Sequence, residues 1–114
     1  MSCIFCKIID GEIPAKILYE NDKVMAFKDA NPEAPNHLLV IPKKHIPSMV
    51  EVNDKDMEEI FPEIFKAIRH LAEDLKLDKE GYRIVNNCGR FGGQTVNHIH
   101  FHILGGRQMT WPPG

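Results

Sequence analysis

The sequence predicts one domain that combines short β-strands with a long helical segment, and three observations carry that reading. Its length, 114 residues, suits a single domain that buries roughly two-thirds of its unfolded surface. Apolar residues recur at three- and four-residue steps between Met57 and Leu75, the spacing of one helix face. On either side of that segment, short apolar runs are separated by clusters of Asn, Asp, Gly and Pro, the punctuation of strands and turns.

Composition narrows the function. At 43% hydrophobic and 26% charged residues the chain has ordinary globular content. A formal charge of -2 and the lack of any basic run give nucleic acid no electrostatic footing. No apolar stretch approaches the roughly eighteen residues of a membrane helix, and no secretory leader opens the chain, so neither membrane nor export is expected. An odd cysteine set (Cys3, Cys6 and Cys88) without a leader points to a reducing compartment, the cytoplasm. It also favours thiols or a metal over a disulfide framework.

Taken in order, Ile4, Phe5, Ile8 and Ile9 have helical spacing, closed by Gly11. The same segment carries Cys3-x-x-Cys6. Alone, that pair reads as half of a zinc site, as a redox pair, or as a short amphipathic turn without metal. Its missing half must come from elsewhere, and His45 and His98 are the candidates. Ile17–Glu20 and Val24–Lys28 read as strands joined by the turn Asn21-Asp22-Lys23. Residues 29–36, with two prolines and two asparagines, form a loop. Asp29 opens that loop at a strand end, where a carboxylate can hold vicinal ribose hydroxyls or simply cap a turn through its own backbone.

His37–Ile41 is apolar after its histidine, the mark of a short buried strand, and is stopped by Pro42. From Asn53 to Leu77 the pattern is helical, with Asn53 or Asp54 as cap and acids in the first turn. Pro62 costs about 3 kcal/mol in a helix interior, so it kinks this helix or begins a second one. His70 falls off the apolar stripe and is assigned to solvent. Tyr82–Asn86 alternates like a strand. The loop from Asn87 to Thr95 has an adjacent glycine pair, suited either to backbone N–H groups approaching an anion or to a mobile hairpin. The only tryptophan, Trp111, sits in the terminal tail and is expected to dock on its own domain or on a neighbouring subunit.

The strongest chemical signal is Asn97-His98-Ile99-His100-Phe101-His102-Ile103-Leu104. On a strand, His98, His100 and His102 share one face and the apolar residues share the other. The backbones of His98 and His102 would then lie about 13 Å apart, too far for all three imidazoles to hold one zinc ion. A file of imidazoles suits an anion better, with the central ring attacking and its neighbours donating to phosphate oxygens. Cys88 is read as a buried or partly buried thiol without a role.

These residues resemble the histidine-triad (HIT) superfamily, whose signature is similar to His98-x-His100-x-His102-Ile103-Leu104. Gly92-Gly93-Gln94-Thr95, Gly105-Gly106-Arg107-Gln108-Met109 and the terminal Trp111-Pro112-Pro113-Gly114 resemble its nucleotide-binding (HINT-type) branch. Ile4-Phe5-x-Lys7-Ile8-Ile9, Glu12-Ile13-Pro14, Ala34-Pro35-x-His37 and Pro42-Lys43-Lys44-His45 match as well. The likeness spans essentially the whole chain, 1–114.

The resemblance implies an α+β, HIT-like fold: a five-stranded antiparallel sheet, a main helix and a short N-terminal helix. It implies a homodimer, with the tail 105–114 contributing to the dimer and to the active-site rim. The implied activity is hydrolysis of the P–N bond of purine nucleoside 5'-phosphoramidates through a covalent nucleotidyl-histidine. In that scheme His100 is the nucleophile, and His37, His98 and His102 complete the catalytic cluster. Asp29 binds the ribose hydroxyls, while Asn87, Gly93 and Thr95 hold the α-phosphate. Ile4, Phe5, Ile8, Phe27 and Ala30 form the base pocket, and Trp111 lies near the partner subunit's site. The relatives carry serine where this chain has Thr95, which keeps the hydroxyl, and isoleucine where it has the smaller Ala30.

The chemistry itself needs no cofactor, because imidazoles and loop N–H groups can stabilise the phosphate oxygens. Some family members carry a structural zinc, and Cys3, Cys6, His45 and His98 match its four ligands, a suitable tetrahedral set. His98 then anchors while His100 and His102 face phosphate. Two rival functions use the same residues. One is dinucleoside polyphosphate hydrolysis or nucleotidyl transfer; the other is a non-catalytic zinc- and nucleotide-binding regulator.

Overall fold

Helix α1 (Ile4–Ile9) opens the fold, and strands β1 (Ile17–Glu20), β2 (Val24–Lys28) and β3 (Asn36–Pro42) follow it. Helices α2 (Asp54–Glu59) and α3 (Phe61–Asp74) come next, then β4 (Tyr82–Val85) and β5 (Phe101–Gly105). The structure is a computed structural model that describes residues 3–114. The strands form one antiparallel sheet in the order β1-β2-β3-β5-β4, so the last strand inserts between β3 and β4. This is the α+β, five-stranded arrangement that the resemblance implies.

Period-2 alternation assigns each inner strand to two layers at once. Val24, Ala26, Leu38, Val40, Phe101 and Ile103 face one side, where Ile64, Ala67, Ile68, Leu71 and Ala72 of α3 cover them. Met25, Phe27, Leu39 and Ile41 face the other side, where Phe5 and Ile8 of α1 pack. Both faces of β2 and β3 are therefore covered, which is why these strands read as near-continuous apolar runs.

The helical segment divides at Ile60. The Asn53 side chain accepts from the Asp56 N–H at 2.8 Å, and the Asp56 carboxylate accepts from the Asn53 N–H at 3.3 Å, a capping box that starts α2. Pro62 stands in the first turn of α3, where its missing N–H removes no intrahelical bond, so it begins a second helix. The break corrects the single apolar stripe read from sequence. Met57 and Phe65 are 47% and 48% exposed, while Asp56 is buried and bonded to Lys44 at 2.7 Å. Counting steps across the break misplaces Met57 of α2, whereas Phe65 lies within α3, half-exposed with its ring against Phe101 at 5.7 Å. That ion pair holds the Asp56 carboxyl below the usual carboxylate range.

A 3₁₀ turn at Met49–Glu51, capped by Ser48, carried no signal in the apolar pattern. His70 lies at the surface as expected, beside Tyr19 and 3.1 Å from Asp74. Trp111 is 82% exposed and does not dock on its own chain. Among the described residues no helix is long and apolar enough to cross a membrane.

The capping box yields a direct check. Asn53→Ala should lower stability by about 1 kcal/mol in urea unfolding, and Asn53→Asp should restore most of it. An unchanged unfolding midpoint in the alanine variant would show that the cap carries no stability.

Candidate active site

The histidine run keeps the expected alternation, with Ile99, Phe101 and Ile103 in the core under α3 and the imidazoles on the side of Phe5, but only its second half is a strand. The β3–β5 ladder ends at Val40 opposite Phe101, and His98, Ile99 and His100 lie before β5 in irregular backbone. Other hydrogen bonds replace the ladder. The Ile99 N–H donates to the Ile46 carbonyl at 2.7 Å, and the Asn86 amide donates to the His100 carbonyl at 2.9 Å. The imidazoles do not form an open face: His98 and His100 are 0% and 4% exposed, beneath the edge of the Phe5 ring.

Hydrogen-bond partners assign each ring nitrogen. His98 Nε2–H donates to the Pro42 carbonyl at 2.8 Å, which leaves Nδ1 as the free lone pair. His100 Nδ1–H donates to the His98 carbonyl at 2.8 Å, so in the neutral ring the Nε2 lone pair is available. The Glu33 N–H donates to His37 Nδ1 at 3.0 Å, which places the His37 proton on Nε2, and that proton is donated to His102 Nδ1 at 2.9 Å. His102 is left with an Nε2–H to donate. Burial, with the charges of His100 and His37 secondary, holds His102 down at about 4. Burial also lowers His98.

His100 and His102 line a cavity of about 490 Å³ between α1, the end of β2 and the loop that follows it, and His98 stays outside it. Ile4, Phe5, Ile8, Phe27 and Ala30, the five expected base-pocket residues, all line it, and Phe5 meets Phe27 edge-on at 5.6 Å. Asp29, Thr95, His100 and His102 add its polar side. Asp29 Oδ1 accepts the Asn31 N–H at 2.8 Å, and Oδ2 lies 3.4 Å from His37 Nε2, so its turn-capping role and its proximity to the site coexist. His37 stands behind His102 outside the lining. A slightly larger cavity, about 530 Å³, lies between Glu80–Arg83 and Gly106–Met109. It contains none of the histidines, and the smaller cavity is the one beside the chemistry.

Asn87, Gly93 and Trp111 do not line the histidine cavity. The Gly93 N–H donates to the Arg90 carbonyl at 3.1 Å inside its own loop. Gly92 is needed for close approach, since a Cβ there would collide with the Cys88 backbone. Gln94 ties the loop down: its amide donates to the carbonyls of Pro47 at 2.7 Å and Val96 at 2.9 Å, and its oxygen accepts the Gly89 N–H. Sequence reasoning passed over Gln94 and Asn86, whose one signal was an amide beside a glycine pair or a strand end.

A second constellation is built from three distant segments. Cys3 Sγ lies 3.4 Å from His98 Nδ1, Cys6 Sγ lies 3.3 Å from His45 Nδ1 and 3.6 Å from His98 Nδ1, and the two Nδ1 atoms are 3.2 Å apart. All four ligand atoms fall within 4.8 Å of one another. Metal–sulfur and metal–nitrogen bonds of about 2.3 and 2.1 Å at tetrahedral angles would set S···N near 3.6 Å and N···N near 3.4 Å. The observed separations match, and the Pro42 carbonyl aims the His98 lone pair inward, so these residues fit a metal ion. Burial, with the neighbouring Cys3, pushes the Cys6 thiol up to about 11, a shift a bound cation reverses. Asp29, His37 and His102 also lie within 4.8 Å of one another, but there the His37 proton already fills the gap between the rings. Among the described residues no disulfide is formed.

The fold and site define a small α+β protein in which two imidazoles of a three-histidine file, His100 and His102, border one cavity. The HIT domain family model matches residues 10–109, and the chain belongs to that family. It is 50% identical over 102 residues to an uncharacterized HIT-like protein of Methanocaldococcus jannaschii, covering 90% of this chain and 77% of that protein. A HIT family hydrolase from Legionella pneumophila superposes with a TM-score of 0.96 at 52% identity, covering 99% of this chain and 100% of that one. A histidine triad nucleotide-binding protein from Candida albicans gives 0.80 at 38% identity, covering 97% and 83%.

The depressed His102 has a measurable consequence. Unfolded histidine takes up its proton near 6.5, whereas folded His102 does so only at about 4. Between those values the unfolded chain binds the extra proton, so stability is full above about pH 6.5 and falls as pH drops towards 4. The unfolding midpoint should follow that slope, and His102→Gln should flatten it. Equal slopes in the two proteins would show that His102 does not titrate this way.

Proposed function

We propose that this protein is a purine nucleoside phosphoramidase of the HINT-type branch, cleaving the P–N bond of adenosine 5'-phosphoramidates of the AMP-amine or AMP-lysine kind. The observation that carries the reading is the tautomer of His100, whose Nδ1–H is held by the His98 carbonyl so that Nε2 presents a lone pair beside the cavity. The Nε2 atom attacks the α-phosphorus in line, the P–N bond breaks and the amine leaves with a proton taken from solvent; water then attacks phosphorus, the Nε2–P bond breaks, the nucleoside monophosphate is released with His100 restored, and the proton returns to solvent. His102 Nε2–H, supported through His37, donates to a non-bridging oxygen, and a donor of this kind typically contributes roughly 3 kcal/mol. The Thr95 hydroxyl is the loop's side-chain contact to the phosphate, with Asn87 and Gly93 shaping that loop. Asp29 takes the ribose hydroxyls, and the apolar wall of Phe5, Phe27, Ile4, Ile8 and Ala30 takes the base.

The names of the Legionella hydrolase and the Candida nucleotide-binding protein support this reading at the level of the family. Cys3, Cys6, His45 and His98 would hold a structural zinc ion, which supplies cross-linking of three segments when bound and takes no part in phosphate chemistry. A homodimer in the cytoplasm completes the proposal. Its support is the exposed Trp111, with Ile84 exposed on the edge strand β4.

Turnover of an adenosine phosphoramidate should exceed that of a diadenosine polyphosphate in parallel assays, and the reverse order would favour the dinucleotide hydrolases of the family. His100→Ala should lose at least about 10³-fold in kcat while its circular dichroism stays unchanged. Retained turnover would remove the covalent mechanism, and a wild-type protein that binds AMP without cleaving either substrate would be a regulator. Metal analysis after chelator-free purification should find about one zinc per chain, falling towards zero in Cys6→Ser.

A further inference from the structure

We propose that the metal group is a positioning device for the ligand cavity: it holds α1 in place, so that nucleotide affinity depends on metal occupancy. The inference rests on the nucleotide reading above and adds regulation to the same site. Cys3 and Cys6 touch no ligand in this scheme; they act through Ile4, Phe5 and Ile8, which alternate with them along one short helix.

Three observations converge on α1. It has six residues, too few to persist without tertiary support, and Cys3 is its N-cap, accepting the Cys6 N–H at 3.4 Å. Only Phe5 and Ile8 of its side chains are buried, whereas Ile4 is 45% exposed at the cavity. The other two ligands belong to the body of the protein: His45 follows β3, and His98 is locked to the Pro42 carbonyl. A shared cation therefore cross-links a marginal helix to a rigid sheet. Losing it leaves α1 with two apolar anchors.

The rest of the fold does not need that cross-link. Phe5 and Ile8 belong to the apolar cluster on one sheet face, separate from the cluster under α3 on the other. Undocking of α1 is accordingly a local opening. It removes one wall of the cavity and the Phe5 edge that lies 5.1 Å from the His100 ring. A protein whose binding-competent form is populated for a tenth of the time shows roughly tenfold weaker apparent affinity. Linkage makes the effect reciprocal, so AMP must tighten zinc binding by the same factor.

The test compares zinc-loaded with zinc-stripped protein. AMP affinity by calorimetry should fall roughly tenfold or more on stripping and return with added zinc. Saturating AMP should raise zinc affinity by an equal factor. Hydrogen exchange should show residues 4–9 losing protection while β2 and β3 keep theirs. Cys6→Ser should reproduce the stripped behaviour, and Cys6→His, which keeps a ligand, should recover AMP affinity when zinc is supplied. Equal AMP affinity in both forms overturns this inference alone, as does zinc affinity unmoved by AMP. Loss of protection in the sheet in parallel with α1 overturns it too, because the metal then serves stability in general. Failure of the loaded protein to bind AMP overturns the functional reading, and this inference falls with it.

Discussion

The hydrogen bond from His98 Nε2 to the Pro42 carbonyl is the contact on which the site depends. It chooses the tautomer of a fully buried ring and turns Nδ1 towards the two thiols and His45. The His98 carbonyl in turn accepts the His100 Nδ1–H. Two carbonyls, of Pro42 and of His98, thereby orient a set of side chains that could hold a metal and the lone pair of His100. An unpaired buried imidazole would cost a lost hydrogen bond, so the arrangement is held by more than geometry.

The sheet keeps stability and chemistry on different faces. Under α3 the packing is apolar and continuous, aliphatic side chains around Phe61 and Phe101. Under α1 the same strands carry Phe27 and Leu39 beside His102, and the covering helix is a single short one. Active surfaces are drawn from the less stable end of a fold because ligands must enter there. On that side three remote segments bring together four side chains that could hold a metal ion.

Much of the architecture was legible in the sequence. The runs at Val24–Lys28 and His37–Ile41 read as buried strands because both faces are covered, and Pro62 announced the break that the structure places at Ile60. The five residues expected at the base and the four expected at a metal were reachable from the family's pattern, and the structure brings each set together, the first around one cavity and the second within 4.8 Å. Met57 was misread because periodicity assumes one axis, and Met57 lies on α2 while most of the stripe lies on α3. The two-faced alternation of the histidine run was legible, but not the point where the ladder stops, because alternation looks the same whether the ladder continues or is replaced by bonds to Ile46, Pro42 and Asn86.

By itself the sequence determined the elements, the mixed α+β class and the identity of the imidazoles, because burial periodicity and residue chemistry are written locally. Only the tertiary structure decided which nitrogen of each ring carries a proton. Those protons are set by the carbonyls of Pro42 and His98 and by the N–H of Glu33, backbone groups that every residue type shares and no sequence distinguishes. The three histidines thus enter as equals in the sequence and leave the fold with separate bonding: His98 towards the thiols, His100 with an open lone pair, His102 with a proton to give.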